Sequence, residues 1–536
     1  MSRVTILNPK VVTDDATITN AARLNALSDM RIGFVDNSKL NADIFIERVS
    51  GALKDKYGVE IGEVVRKLAP KDALNDDEVN RLTKYNAVVQ CFGDCGTSTS
   101  MTVADAVTLE AKGIPTATVF STAFSGAARQ QAVGRGLAHL PLVEIPHPMH
   151  TATQDAILER ADAVVEQIAK TLSDSALIKN DKTSADSDAA IEIDSDSLND
   201  AENQELFFER GWTDGLPIVP PTLEKVQAML AATKRTPHEE VGAIPPRMRM
   251  ATVEKIAINA VMAGCKPAYF PVVLAAVEAM LDKDCDLYGA QTATNMSTPL
   301  LILNGPIVEE INANSGRNCF GPGNRANATI GRAVRLVCWN VGGEIPEETD
   351  MATHGQPGKF TFCFAEAESE NPWGAFHVEK GFKANESTVT VLGGASSPHN
   401  VFTYGCENGR EVIDHFVGAM TALGNNNIIF PSGPLLVFSP EHAQVLARDG
   451  FTKEKIRDYI FKHARIPLSR FGPRSVKGLH HRRSNWFATV GDPDHIGVAD
   501  KPEDIQIVVA GGPGIHSLFI PTSFSHRPVV RKIEKN

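Results

Sequence analysis

Nucleophilic chemistry is most clearly permitted at Cys95, which lies in the stretch VVQCFGDCGTSTSMTVADAV (88–107). The apolar run before it reads as a buried strand ending near Phe92. Gly93 and Gly96 allow a tight turn, and Thr97, Ser98 or Thr99 can cap the helix that follows. Apolar residues at Met101, Val103, Ala104, Val107 and Leu109 predict that helix over 99–112. A thiol placed there faces free backbone N–H groups and the positive end of a helix dipole. Both favour the thiolate, which is the nucleophilic form. The bland alternative is a small residue fitting a tight turn. Asp94 would oppose ionisation if it pointed at the sulfur, so it is expected to face a substrate cation or the helix start. Cys91 reads as a buried strand residue, with a Cys91–Cys95 redox pair as the alternative.

The elements that must hold this turn are legible around it. Residues 31–36, 87–92, 114–120 and 140–145 read as strands, and 41–57, 124–137 and 151–172 as helices, the last capped by Thr151 or Thr153. Strands alternating with helices imply parallel βαβ units. Residues 1–173 are therefore expected to hold a doubly wound α/β domain. In such sheets ligands bind beyond the carboxyl ends of the strands. His147, in IPHPMH just past a strand end, is then a candidate acid or base on the same edge as Cys95. Thr122, Ser125 and Arg129 follow the neighbouring strand, and Arg129 would suit a carboxylate.

Residues 174–204 are rich in Asp and Ser and lack aromatics, which predicts a flexible acidic linker. From 205 to 536 strands and helices mix without strict alternation, so a larger α+β substrate-binding domain is expected. Within it, Trp212 and Asp214 lie in a loop between two glycines. NCFGPGNRANATIGRA (318–333) combines Cys319, Gly321, Gly323, Asn324, Arg325 and Asn327 near a helix start, a pattern that suits an anion, although it is neither a P-loop nor GxGxxG. GLHHRRSNW (478–486) is locally basic and reads either as an anion site or as a solvated loop. His516 follows the GGPG turn and could enter a cleft.

Bulk properties narrow the function. The chain has 536 residues and a formal charge of -12, which argues against a nucleic-acid partner. No apolar run is long enough to span a bilayer, and the N-terminus lacks the apolar core of a signal peptide, so the cytosol is the default expectation. The eight cysteines form no CxxC pair and no zinc spacing, so no metal site and no cofactor are evident. All but Cys95 are expected to be mostly buried and inert. Oligomeric state is left open, a homo-oligomer included.

FGDCGTS, VADAVTLEAKGIPTATVFSTAF and LPLVEIPHPM together resemble the UGSC family of selenoproteins and their cysteine homologues. More distantly, they resemble selenoprotein B of the glycine, sarcosine and betaine reductases. The resemblance covers roughly residues 86–150 and puts Cys95 at the selenocysteine position, Gly96 at the glycine and Thr97 at the serine. Ser98 stands where the family has its second cysteine, so a local dithiol–disulfide cycle is in doubt. The resemblance implies a cysteine nucleophile that forms a covalent adduct with an electrophilic carbon. The expectation is a thiol-dependent, reductase-like enzyme acting on a small anionic molecule, with an external thiol or thiol reductant protein as partner. The rivals are a non-redox lyase or hydrolase and a carrier subunit that passes a group to a partner.

Overall fold

The computed structural model describes residues 3–11, 18–178, 189–197, 200–524 and 527–535. Arg3–Ile6 form β1. The N-terminal domain then runs through β2 (Arg31–Asp36), α1 (Ala42–Tyr57), β3 (Glu60–Arg66), α2 (Asp76–Leu82), β4 (Ala87–Gly93), α3 (Gly96–Ala111), β5 (Thr116–Ser121), α4 (Ser125–Gly134), β6 (Leu142–Ile145) and α5 (Gln154–Ser173). Strands β2 to β6 make one parallel sheet in the order β3-β2-β4-β5-β6. It is wound on both faces. Phe45, Val49 and Leu53 of α1 and Ile157, Ala161 and Ile168 of α5 bury against Phe34, Val89 and Phe92 on one side. Val103 and Val107 of α3 pack with Ala128 and Ala132 of α4 over Phe120 on the other. The doubly wound fold is as expected.

Strand order fixes where a ligand can sit. From β2 the chain goes through α1 outward to β3. It then returns across to β4 on the other side of β2 and proceeds through α3 to β5. The connections after β2 and β4 therefore leave toward opposite faces, and their carboxyl ends part to form a crevice. Asn37–Lys39 follow β2 and Asp94–Cys95 follow β4, so both border that crevice. Neither β3 nor its effect on strand order is among the sequence expectations. Glu60, Glu63 and Arg66 make β3 an edge strand whose polar side chains break the apolar run that marks a buried strand.

The second domain is α+β, as expected. One four-stranded sheet orders strands 363–365, 298–304, 388–395 and 529–532. Another orders 399–402, 516–520, 435–438 and 506–509. Leu300, Ile302 and Phe364 of the first meet Val437, Val508 and Ile520 of the second in a shared apolar core. Helices 253–262, 270–280 and 325–340 cover the first sheet.

Part of the segment expected to be a linker is ordered. Ile191–Asp194 form β7, which pairs antiparallel with β1 from the chain's other end, and Ala201–Glu209 form a helix. Ile193 and Ile6 bury together with Phe207 and Trp212 in the second domain's core. The acidic average over 174–204 hides this alternation of two isoleucines with Glu192 and Asp194. Residues 179–188 and 198–199 lie outside the described residues. The first strand likewise belongs with the second domain: Leu7 N donates to Pro221 O at 3.0 Å, and Lys255 Nζ donates to Asn8 O at 3.0 Å. A boundary at residue 1 is thus corrected by this tie, which secures the N-terminus on the far domain. No helix among the described residues is long and apolar enough to cross a membrane.

Candidate active site

Cys95 is the N-cap of α3, with extended backbone (φ -161°, ψ 167°). The Ser98 amide donates to Cys95 Sγ at 3.5 Å, and Ser98 Oγ lies 3.2 Å from the sulfur. The backbone amides of Asp94 and Cys95 both donate to Ser98 Oγ at 3.2 Å, closing a capping box with sulfur in the usual oxygen position. Burial pushes the thiol pKa up. The Lys39 ammonium, the Ser98 hydroxyl and the Ser98 amide outweigh that, and the net shift is below the ordinary value. Lys39 is 8% exposed just beyond the end of β2, and its charge is the largest of the influences that lower the Cys95 pKa.

This lowered pKa singles Cys95 out. Cys91 is buried among Phe34, Phe45 and Phe92, and burial holds its thiol far above the usual value. Burial takes Cys265 and Cys338 to about 12 and Cys319 to about 11, and raises Cys285 and Cys363 further. Cys406 is half-buried beside His415 (3.3 Å) and is also raised. A Cys91–Cys95 pair has no geometric support, because Cys91 faces the α1–α5 core and Cys95 faces the crevice.

Asp94 turns to the 147–150 loop rather than to the start of α3. Its Oδ1 lies 2.9 Å from His147 Nδ1, and its Oδ2 accepts from Met149 N (3.1 Å) and His150 N (2.9 Å). Burial raises its pKa, but hydrogen bonding by Ser121, the Lys39 charge and these amides bring it below the ordinary value. Asp94 thus clamps the 147–150 loop beside the nucleophile. The clamp fixes His147 with its Nδ1 toward the carboxylate and Nε2 outward. Ser121 Oγ also meets that Nδ1 at 3.1 Å.

Three further cationic or imidazole groups lie near the site, of which only Arg482 falls in a stretch the sequence offers for an anion. Burial and the charges of Lys39 and Arg482 lower the His150 pKa to about 4, so it is neutral at neutral pH. Arg474 Nη2 donates to Asn41 Oδ1 (2.6 Å) and His150 O (3.1 Å), and Arg474 Nη1 donates to Ala152 O (3.2 Å). Arg482 is exposed; partial desolvation lowers its pKa and the Cys95 charge counters part of that. It has no carboxylate partner among the described residues and lies 5.8 Å from the Phe430 ring. Arg474 and Arg482 both belong to the helix Pro473–Arg482 of the second domain. The basic GLHHRRSNW stretch therefore divides. Arg482 faces the site, whereas Arg483 is buried on the carbonyls of Asn427, Ile428 and Gly497 and on Asp500.

Gly96 shows how closely the domains meet. A Cβ there would lie 1.6 Å from Thr292 O and 2.8 Å from Met351 Cβ. Lys71–Asp286 (2.8 Å) and Arg135–Tyr288 (2.7 Å) hold the same interface. Thr97 is buried in the first turn of α3.

Other candidates have local duties. Ser125 Oγ donates to Thr122 O, and Arg129 is paired with Glu144 at 3.1 Å on the surface rather than held for a carboxylate. Trp212 is buried and stacked on Phe207, and Asp214 takes a two-pronged contact from Arg332 (2.9 and 2.7 Å). Asn324 caps the 325–340 helix, Arg325 donates to Gly264 O, and Asn327 ties Asn314 to Cys319 O. Gly321 makes room for the Asn318 side chain, and Gly323 takes a positive φ of 114° in open space. Among the described residues none of these side chains hydrogen-bonds to Cys95.

Residues 5–174 match the model of the UGSC family. No curated protein and no solved structure matches the chain, so the likeness to selenoprotein B stays one of motifs. By that match residues 5–174, which include Cys95, are similar to the UGSC family.

Proposed function

We propose that the protein is a thiol-dependent enzyme in which the Cys95 thiolate attacks an electrophilic carbon of a small anionic substrate. The observation that carries this reading is the sulfur's place at the N-cap of α3, in contact with the Ser98 amide and hydroxyl, and the Lys39 charge adds to the lowering of its pKa. A carbon–sulfur bond forms, and the leaving group departs with the bonding pair. His147, fixed by Asp94, exchanges the proton through Nε2. In a reductase-like cycle two equivalents of external thiol would resolve the adduct. The first releases the carbon fragment as a carbanion that takes a proton, leaving a mixed disulfide on Cys95. The second attacks that disulfide and frees the thiolate.

The second reading is a non-redox lyase or hydrolase. It is favoured by Ser98 in the place of a resolving thiol and by Cys91 facing the opposite core. In that cycle water, not a thiol, cleaves the adduct. Turnover that persists without added thiol selects it.

The test uses two alkylating agents of similar shape and different charge. Iodoacetate should label Cys95 faster, relative to iodoacetamide, than it labels glutathione, by about tenfold at low ionic strength. Arg482→Gln should bring the ratio back toward that of glutathione while altering the iodoacetamide rate much less. Peptide mass spectrometry assigns the site. Labelling of Cys95 by both reagents no faster than of glutathione contradicts the nucleophile. Fast labelling with no preference for iodoacetate contradicts only the anionic substrate.

A further inference from the structure

We propose that the second domain carries a separate binding site for a small aromatic anion, in a cavity between the 317–321 turn and the 510–517 loop. The strands 435–438 and 506–509 run parallel and end at the same edge of their sheet. Beyond that edge Ser439 begins a helix and residues 510–514 turn back, leaving a cavity of about 310 Å³. This is the same type of position, at the carboxyl ends of parallel strands, that Cys95 occupies in the first domain.

Charge indicates the ligand. None of the fifteen residues lining the cavity is Asp or Glu, in a chain with 65 acidic residues against 53 Lys and Arg. The cation is Arg317, which forms no ion pair or side-chain hydrogen bond among the described residues. Its stem lies against Gly512, where a Cβ would come within 2.2 Å of Arg317 Cγ, so glycine lets the loop close on it. The Gly512 and Gly514 amides donate to no protein acceptor among the described residues. A guanidinium and two unused amides in a cavity without carboxylates suit a phosphate or similar oxyanion.

Shape indicates the rest. Val437, Ala510 and Leu518 give the cavity an apolar wall. His516 lines it and stacks on Phe402 (4.7 Å, 12° between planes), which lies 5.9 Å from Tyr404. Phe402 is 46% and Tyr404 79% exposed, so a run of rings reaches from the cavity into solvent. Exposed aromatics beside a cavity provide a surface for a planar ligand. The volume is at the lower end of small-molecule pockets, about 300–1,000 Å³, so it suits one ring and its charged group.

The site does not depend on the role of Cys95. Phenyl phosphate is the probe, titrated calorimetrically into the full chain. Saturable one-to-one binding is expected, with inorganic phosphate and benzyl alcohol each weaker by about tenfold or more. Arg317→Gln, at an exposed position, should weaken phenyl phosphate about tenfold, and Phe402→Ala about threefold, with the Cys95 alkylation rate unchanged in both. The proposal is overturned by no saturable binding up to about 10 mM, by equal binding of inorganic phosphate, or by binding that Arg317→Gln leaves intact.

Discussion

Replacing Lys39 by Gln should slow alkylation of Cys95 by iodoacetamide about tenfold at pH 7, the net of two opposing effects. Lys39 is the largest of the influences that lower the Cys95 pKa against the opposing push of burial. Without its charge the thiol stays protonated to higher pH, so less thiolate is present at neutrality. The remaining thiolate is more basic and intrinsically more nucleophilic, which offsets part of the loss. The sign of the difference therefore depends on pH. The variant is slower at pH 7, and the two rates converge or cross once both thiols are ionised. A deficit that stays constant at every pH would mean that Lys39 acts by shaping the crevice rather than through its charge. Lys39→Arg keeps the charge and should recover most of the rate.

Gly96→Ala should separate the two domains at the active site. The added Cβ would fall 1.6 Å from the Thr292 carbonyl oxygen, a backbone atom that cannot swing aside as a side-chain tip could. Overpacking of this kind costs about 1–3 kcal/mol or more. The strain is concentrated where α3 meets residues 292 and 351, so the interface should yield before either core does. Arg482 then withdraws from the sulfur while the Cys95–Ser98 cap remains. The expected result is loss of the preference for iodoacetate, a larger radius of gyration by solution scattering, and retained circular dichroism. Gly126→Ala is the control, because no atom lies within 4 Å of a Cβ there, and it should change none of the three. An unaltered radius and preference in Gly96→Ala would contradict the close seating of the domains.

The parts of this site that were legible in the sequence are local. The strand–turn–helix around Cys95, the Thr153 cap and the order of elements 31–36, 87–92 and 151–172 all follow from periodicity and capping within about twenty residues, although α3 starts at Gly96 with Cys95 itself as the cap instead of Thr97, Ser98 or Thr99. What was not legible depends on pairing across the chain. Lys39 follows an expected strand, but its place opposite Cys95 depends on β3 and the reversal of strand order, which no local pattern records. Arg482 lies in a stretch whose basic character was visible, yet its coupling to Cys95, 387 positions earlier in sequence, is set by the docking of the two domains. The Arg325 and Asn327 pattern looked like an anion site because helix capping uses the same residue types. Arg129 likewise matched a carboxylate, and the carboxylate is Glu144 of the same domain.

The most direct measurement is the pH dependence of the Cys95 alkylation rate in the intact chain, followed by peptide mass spectrometry. A thiolate held by Lys39 and the α3 amides should reach half its maximal rate below the ordinary cysteine value of about 8.5. Half-maximal reaction at or above that value would contradict the account, since the sulfur would then be an ordinary buried thiol.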